Sequence, residues 1–82
     1  MKKVYVKVNV DFDSDGNMIP KRIIWEDGTD YEIDSILSYS PREARKDIGA
    51  AGERWLVRIR GRQAYLYYDI LPPKRWFVAA KD

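Results

Sequence analysis

The sequence predicts a single mainly-β domain, folded as one antiparallel bent sheet or small barrel of about six strands with one short helix between strands three and four. Three observations lead to this fold class. Apolar residues alternate with polar ones along most of the chain, which is the period of a pleated strand. Short links rich in glycine, proline and aspartate separate these segments. The length of 82 residues is that of one domain.

The first two strands are predicted from alternation on either side of a dense turn signal. Every second residue from 4 to 10 is a valine, so one face of the first strand is apolar. Residues 13–17 are aspartate, serine, glycine and asparagine, which favour a chain reversal. A second strand is expected around residues 20–25, and its proline places its start at an edge or a strand end.

Register decides the length of the next hairpin loop. With three loop residues, Glu26-Asp27-Gly28, Ile23 faces Tyr31 and Arg22 faces Glu32. This pairing separates apolar from charged side chains and places an ion pair across the strands, whereas a two-residue loop mixes them on both faces. We therefore predict the three-residue loop, with its glycine left-handed in a bulge.

The third strand is predicted over Thr29 to about Leu37, and a short helix is predicted after it. The segment Ser40-Pro41-Arg42-Glu43 has the pattern of a capping box, with serine as N-cap and proline at the first helical position. The helix should cover Pro41 to Asp47 and end at Gly49. Because two helical turns are marginal alone, we expect the helix to dock on the sheet.

The fourth and fifth strands, Glu53 to Arg60 and Gln63 to Ile70, are predicted to join through a two-residue turn at Gly61-Arg62. On the core face, this register pairs Trp55 with Tyr68, Val57 with Leu66 and Ile59 with Ala64.

A sixth strand, Arg75 to Ala80, is predicted after the break at Pro72-Pro73. Its register stays open. A three- or five-residue loop turns Trp76 and Val78 inward, and a four-residue loop turns Phe77 inward.

The chain contains no cysteine and no histidine. This composition excludes a disulfide, thiolate or imidazole ligands for zinc, a cysteine nucleophile and a histidine base. No glycine-rich phosphate loop or dinucleotide motif occurs, and the serines have no histidine to activate them. We therefore expect a protein that is not an enzyme and has no cofactor.

Charge is unevenly distributed along the chain, although the net charge is only +2. Residues 11–34 carry eight acids against two bases, and residues 42–62 carry seven bases against three acids. Two interpretations stay open. In the first, acidic and basic strands lie side by side and neutralise each other. In the second, the surface has separate acidic and basic areas, which pair head-to-tail with a second copy or steer a charged partner.

One acidic turn resembles the opening of a calcium-binding loop. Asp11, Asp13 and Asp15 alternate before Gly16, as oxygen ligands do in such loops. The twelfth position, which holds a bidentate glutamate in those loops, is Arg22 here, and a proline interrupts the segment. We therefore predict a plain turn and no metal site.

The outward face of the predicted fourth and fifth strands combines cations with aromatic and apolar side chains. The predicted binding residues are Leu56, Arg58, Arg60, Arg62, Tyr65 and Tyr67. A protein partner or a second copy would use Leu56, Tyr65 and Tyr67 as apolar anchors rimmed by arginine. The alternative is single-stranded nucleic acid, with phosphates on the guanidinium groups and bases stacked on the rings.

Nothing in the sequence predicts a membrane protein. No segment approaches the roughly 18 to 20 apolar residues that cross a bilayer. The residues after Met1-Lys2-Lys3 alternate in polarity instead of forming the apolar stretch of a secretory signal. We expect a cytoplasmic protein.

Four segments carry a resemblance to known proteins. They are residues 24–34 (IWEDGTDYEID), 55–57 (WLV), 65–67 (YLY) and 75–78 (RWFV). The chain resembles short uncharacterised bacterial proteins, chiefly from clostridia. More distantly it is similar to a small β module that accompanies Y-family DNA polymerases and shares a Trp–Gly–Tyr hairpin and a late Arg-Trp. The resemblance implies a stand-alone β domain without known activity and points toward DNA metabolism.

Overall fold

Seven antiparallel strands form one curled sheet, a half-barrel, in the computed structural model, which describes residues 2–45 and 50–80. The strands are β1 (Lys2–Phe12), β2 (Met18–Ile24), β3 (Asp30–Glu32), β4 (Ser35–Arg45), β5 (Ala50–Ile59), β6 (Arg62–Asp69) and β7 (Trp76–Ala80). Their order across the sheet is β3-β2-β1-β7-β6-β5-β4. The mainly-β, antiparallel fold class is therefore confirmed, with seven strands instead of about six.

The predicted helix is wrong over the residues that the structure describes. Residues 41–45 belong to β4, which pairs with β5 from Ser35 to Arg45, while residues 46–49 lie outside the described part. A register shift between Ser40 and Glu43 accommodates Pro41, as is usual for a proline in an edge strand. Backbone pairing with β5 along an 11-residue strand outweighs a capping box that supports only two helical turns.

The predicted third strand is divided into two separate strands. β3 pairs with β2, whereas β4 pairs with β5 at the other edge of the sheet. Between them the N–H of Ile33 donates to the carbonyl of Lys21 at 2.9 Å, and the N–H of Asp34 donates to the carbonyl of Arg58 at 2.8 Å. These two residues carry the chain from one edge of the curled sheet to the other.

The β2–β3 hairpin has the predicted three-residue loop and register. Ile23 pairs with Tyr31 and Arg22 with Glu32, and Gly28 is left-handed with a φ of 89°. The ion pair is diagonal: the Arg22 guanidinium lies 3.0 Å from Asp30 and not against Glu32 directly opposite.

The β5–β6 hairpin is shifted by two residues from the predicted register. Trp55 pairs with Leu66 and Val57 with Ala64, and the turn residues are Arg60 and Gly61, with φ values of 51° and 75°. Positive φ at both positions is the geometry of a type I′ turn, whose twist matches that of the strands. A shift of two residues keeps every side chain on its face, so the predicted core face of the hairpin is unchanged.

The hydrophobic core lies on the concave side of the sheet. Its buried members are Val4, Ile23, Trp55, Val57, Leu66 and Val78. Trp76 packs against this cluster, so the register that turns Trp76 and Val78 inward is the observed one. Phe77, on the convex side, is nevertheless fully buried, because Tyr67 stacks on it at 5.0 Å and Tyr5 meets it edge-on at 6.0 Å.

Candidate functional site

The convex side of β5 and β6 brings together four of the six predicted binding residues. Leu56 pairs with Tyr65, and Arg58 pairs with Gln63. Tyr65 is 41% exposed, Arg58 is exposed and Leu56 is half-buried. Within the described part of the chain, no carboxylate lies within ion-pair distance of Arg58.

Arg54 belongs to this surface, although it was not among the predicted binding residues. It pairs with Tyr67, and its guanidinium carbon lies 4.6 Å from the centroid of the Tyr65 ring. A cation over a ring face is an attractive contact that also restricts both side chains. Arg54, Leu56, Arg58 and Tyr65 are called the β5–β6 face below.

Tyr67 does not contribute an exposed ring to this face. It is 3% exposed, and its ring lies nearly parallel to Phe77, with 7° between the ring planes. The predicted role of Tyr67 as an apolar anchor is therefore corrected to a structural one. The alternation pattern marked Tyr67 as outward but could not show that Phe77 from β7 covers it.

Arg60 and Arg62 lie apart from Leu56 and Arg58, in a groove that Tyr65 also lines. Arg62 pairs with Ile59, an inward residue, and the Arg60 guanidinium lies 4.6 Å from the centroid of the Tyr31 ring. Both arginines line an open groove of about 810 Å³ between the β2–β3 hairpin and the β5–β6 turn. Arg60 is a turn residue, so its side chain does not follow the alternation of β5, and Arg62 lies on the same side of the sheet as its inward partner Ile59.

A second opening of about 560 Å³ lies between the β1–β2 turn and the edge strand β4. Its lining includes Phe12, Ile36 and Tyr39, all with exposed apolar surface that the sequence did not mark as functional. The Tyr39 hydroxyl donates to the carboxylate of Glu53. Partial burial and this carboxylate raise the pKa of Tyr39 to about 12. With this raised pKa the Tyr39 phenol stays protonated at neutral pH, so it does not act as a general base.

The acidic turn uses its central carboxylate to hold the backbone. One oxygen of Asp13 accepts the N–H groups of Asp15 at 2.9 Å and Asn17 at 2.8 Å, and the other accepts the Asn17 side-chain amide at 3.2 Å. These bonds, the backbone bond from Asn17 foremost, lower the pKa of Asp13. The described residues contain no group of three or more acidic side chains placed to share a metal ion.

Comparison of the chain with known protein families, with curated proteins and with solved structures finds no match. The resemblance to clostridial proteins and to the polymerase-associated module therefore stays a prediction. Among the described residues, no helix has the length and hydropathy to cross a lipid bilayer. The geometry and charge of the two arginine-bearing sites are thus the basis for a functional proposal.

Proposed function

We propose that this chain is a non-enzymatic binding module that holds a protein partner through the β5–β6 face. The observation that supports this proposal is the exposed ring of Tyr65, held between Leu56 on the neighbouring strand and the guanidinium of Arg54. An exposed aromatic side chain on central strands of a sheet is already in place before binding. Its ordering therefore costs little when a partner arrives.

The residue types on the β5–β6 face are those that dominate protein interfaces. Tyrosine and arginine are enriched among the residues that contribute most binding free energy, and they act from a well-packed centre. Tyr65 provides that centre, with Leu56 directly opposite it. Arg58, at the rim, is exposed and has no described carboxylate partner, so it attracts a partner with acidic groups.

A second copy of the chain provides an acidic surface of this kind. The β2–β3 hairpin carries Glu26, Asp27, Asp30 and Glu32, all exposed. Only Asp30 is paired with a cation in the described structure, by Arg22 of the same hairpin. A head-to-tail contact between this hairpin and the β5–β6 face is therefore the association to test first.

Nucleic acid is the alternative partner, because cations are spread over the convex side of the sheet. Lys3, Arg54 and Arg75 each lie over an aromatic ring there, at 4.7, 4.6 and 3.7 Å from the ring centroids. Arg54 and Arg75 each occupy one face of the exposed Tyr65 and Tyr5 rings, on which bases would stack, and the Phe77 ring is fully buried. A protein partner, which needs no open ring face, fits this arrangement better.

Sedimentation velocity over a range of protein and salt concentrations tests the proposal. We expect reversible association that weakens with salt, because exposed charges contribute to it. Tyr65→Ala should weaken association by about thirtyfold, the loss expected for an interface residue worth about 2 kcal/mol. Arg58→Glu should weaken it partly and mainly at low salt.

The matched control is Lys7→Glu, which makes the same change of charge at an exposed position of β1, two strands away from β6. It should leave association unchanged. Binding of a labelled short single-stranded oligonucleotide is measured in parallel by fluorescence anisotropy. The protein could instead stay monomeric at all concentrations and bind this oligonucleotide, with log affinity falling against log salt concentration at a slope of about −2 to −3. That result would contradict the protein partner and support nucleic acid.

A further inference from the structure

The concave groove has an apolar interior of the size that small ligands occupy. Its volume of about 810 Å³ falls within the range of roughly 300 to 1,000 Å³ typical of ligand sites. Its apolar wall includes Ile23, Trp25, Tyr31, Ile59, Ala64 and Val78, and Tyr65 and Ala79 also line the groove. Trp25 and Tyr31 are aromatic and half-buried; because the Arg60 guanidinium lies over the Tyr31 ring, the flat ring surface available at the wall is that of Trp25.

The charged groups of the groove are all positive. Arg60 and Arg62 line it, and no acidic residue is among the described residues that do so. The carboxylate of Asp34 accepts the backbone N–H of Arg60 at 3.0 Å and makes no ion pair with its guanidinium in the described structure. An anion in this groove would therefore meet two guanidinium groups without competition from a carboxylate.

The position of Arg60 suits it for holding an anion. Its guanidinium lies over the Tyr31 ring, which leaves the N–H groups at its edge free to donate in pairs. Its φ of 51° is unusual for a side chain other than glycine, asparagine or aspartate. An arginine thus occupies a turn position that glycine or asparagine would fill with less strain.

We propose that this groove binds a free nucleoside phosphate, with the base against the aromatic wall at Trp25 and the phosphate between Arg60 and Arg62. The base supplies a flat apolar surface that matches the wall. The phosphate supplies a negatively charged partner for the two arginines, which have no acidic residue beside them in the groove. A purely aliphatic anion would leave the aromatic wall without a stacking partner. Tyr65 of the β5–β6 face also lines the groove, but Trp25, Arg60 and Arg62, which would hold the nucleotide, are not part of that face, so the proposal does not depend on the proposed protein partner.

Titration with adenosine monophosphate, followed by amide NMR spectra of the intact chain, tests the proposal. We expect saturable shifts for residues of the groove, namely Tyr31, the segment 59–64 and Val78. Adenosine lacks the phosphate and inorganic phosphate lacks the ring, so each should bind at least about tenfold more weakly than the nucleotide. Equal binding of either fragment would overturn the two-part recognition.

Variants separate the groove from general attraction to a basic protein. Arg60→Gly removes the guanidinium and suits the left-handed turn position, so the fold should be retained. Arg60→Gly and Arg62→Gln should each weaken nucleotide binding by about tenfold or more, whereas Arg58→Gln on the convex side should not change it. Equal losses in all three variants, no shifts at millimolar nucleotide, or binding of a short single strand but not of the nucleotide would overturn the proposal.

Discussion

The backbone geometry at Gly52 predicts that Gly52→Ala lowers the free energy of unfolding. Gly52 lies in β5 opposite Asp69 and has a φ of 150°, a region that side chains rarely adopt. A Cβ atom at this position would collide with the carbonyl oxygen of Tyr68 and lie 2.9 Å from the backbone nitrogen of Ile70. Both neighbours are backbone atoms, so no flexible side chain can move aside.

The expected loss of stability has two parts. The unfavourable backbone conformation costs about 1 to 3 kcal/mol, and separating the two strands to admit the Cβ costs about another 1 to 3 kcal/mol. A chain of 82 residues has a free energy of unfolding of about 4 to 12 kcal/mol. Gly52→Ala should therefore remove a large fraction of the stability and leave the fold marginal.

Urea unfolding followed by tryptophan fluorescence measures this loss, because Trp55 is buried in the native core. The matched control is Gly28→Ala, since Gly28 also has a positive φ but a Cβ atom added to it would meet no heavy atom within 4 Å. The control should lose only about 1 kcal/mol. Equal losses for the two variants would refute the close approach of β5 and β6 at Gly52.

Three further predictions concern the core, the Tyr39 hydroxyl and the acidic turn. Leu66→Ala, at a fully buried position, should cost about 2 to 5 kcal/mol in urea unfolding, whereas Leu71→Ala, at an exposed position, should stay within about 0.5 kcal/mol of the wild type. Because folding raises the pKa of Tyr39 to about 12, its contribution to stability is complete below pH 10 and is lost as pH rises toward 12. Ultraviolet titration should show Tyr39 ionising at lower pH in Glu53→Gln. Carboxyl NMR should find the pKa of Asp13 below its ordinary value, so its stabilising contribution is lost as pH falls through that lowered pKa.

Local pattern was sufficient for the β2–β3 loop and for the core face of β5. The β2–β3 loop follows from the requirement that apolar and charged side chains separate, and Gly28 supplies the left-handed position. The core face of β5 follows in the same way, since Trp55 and Val57 are buried. A two-residue shift in register leaves such faces unchanged. The core residues of β5 were therefore predicted correctly although the turn residues were not.

Predictions failed where a distant strand competes with a local signal. The capping box at residues 40–43 is a real helix signal, but pairing with β5 gives the same residues a longer ladder of backbone bonds. The predicted binding surface was wrong for two reasons, one within a single hairpin and one from a distant strand. Arg60 and Arg62 line the groove because the turn is at residues 60–61 and not at the predicted 61–62, and Tyr67 is buried because Phe77 from β7 covers it.

The amino-acid sequence by itself determined the strand periodicity, the antiparallel class, the side of each strand that is apolar and the exclusion of cysteine and histidine chemistry. Side-chain alternation is a property of each strand alone, so these features need no knowledge of neighbours. Only the tertiary structure decided which strands are adjacent, that β4 and not a helix completes the sheet, and that the arginines divide between a convex face and a concave groove. Those outcomes depend on contacts between residues far apart in the chain, and no local pattern encodes them.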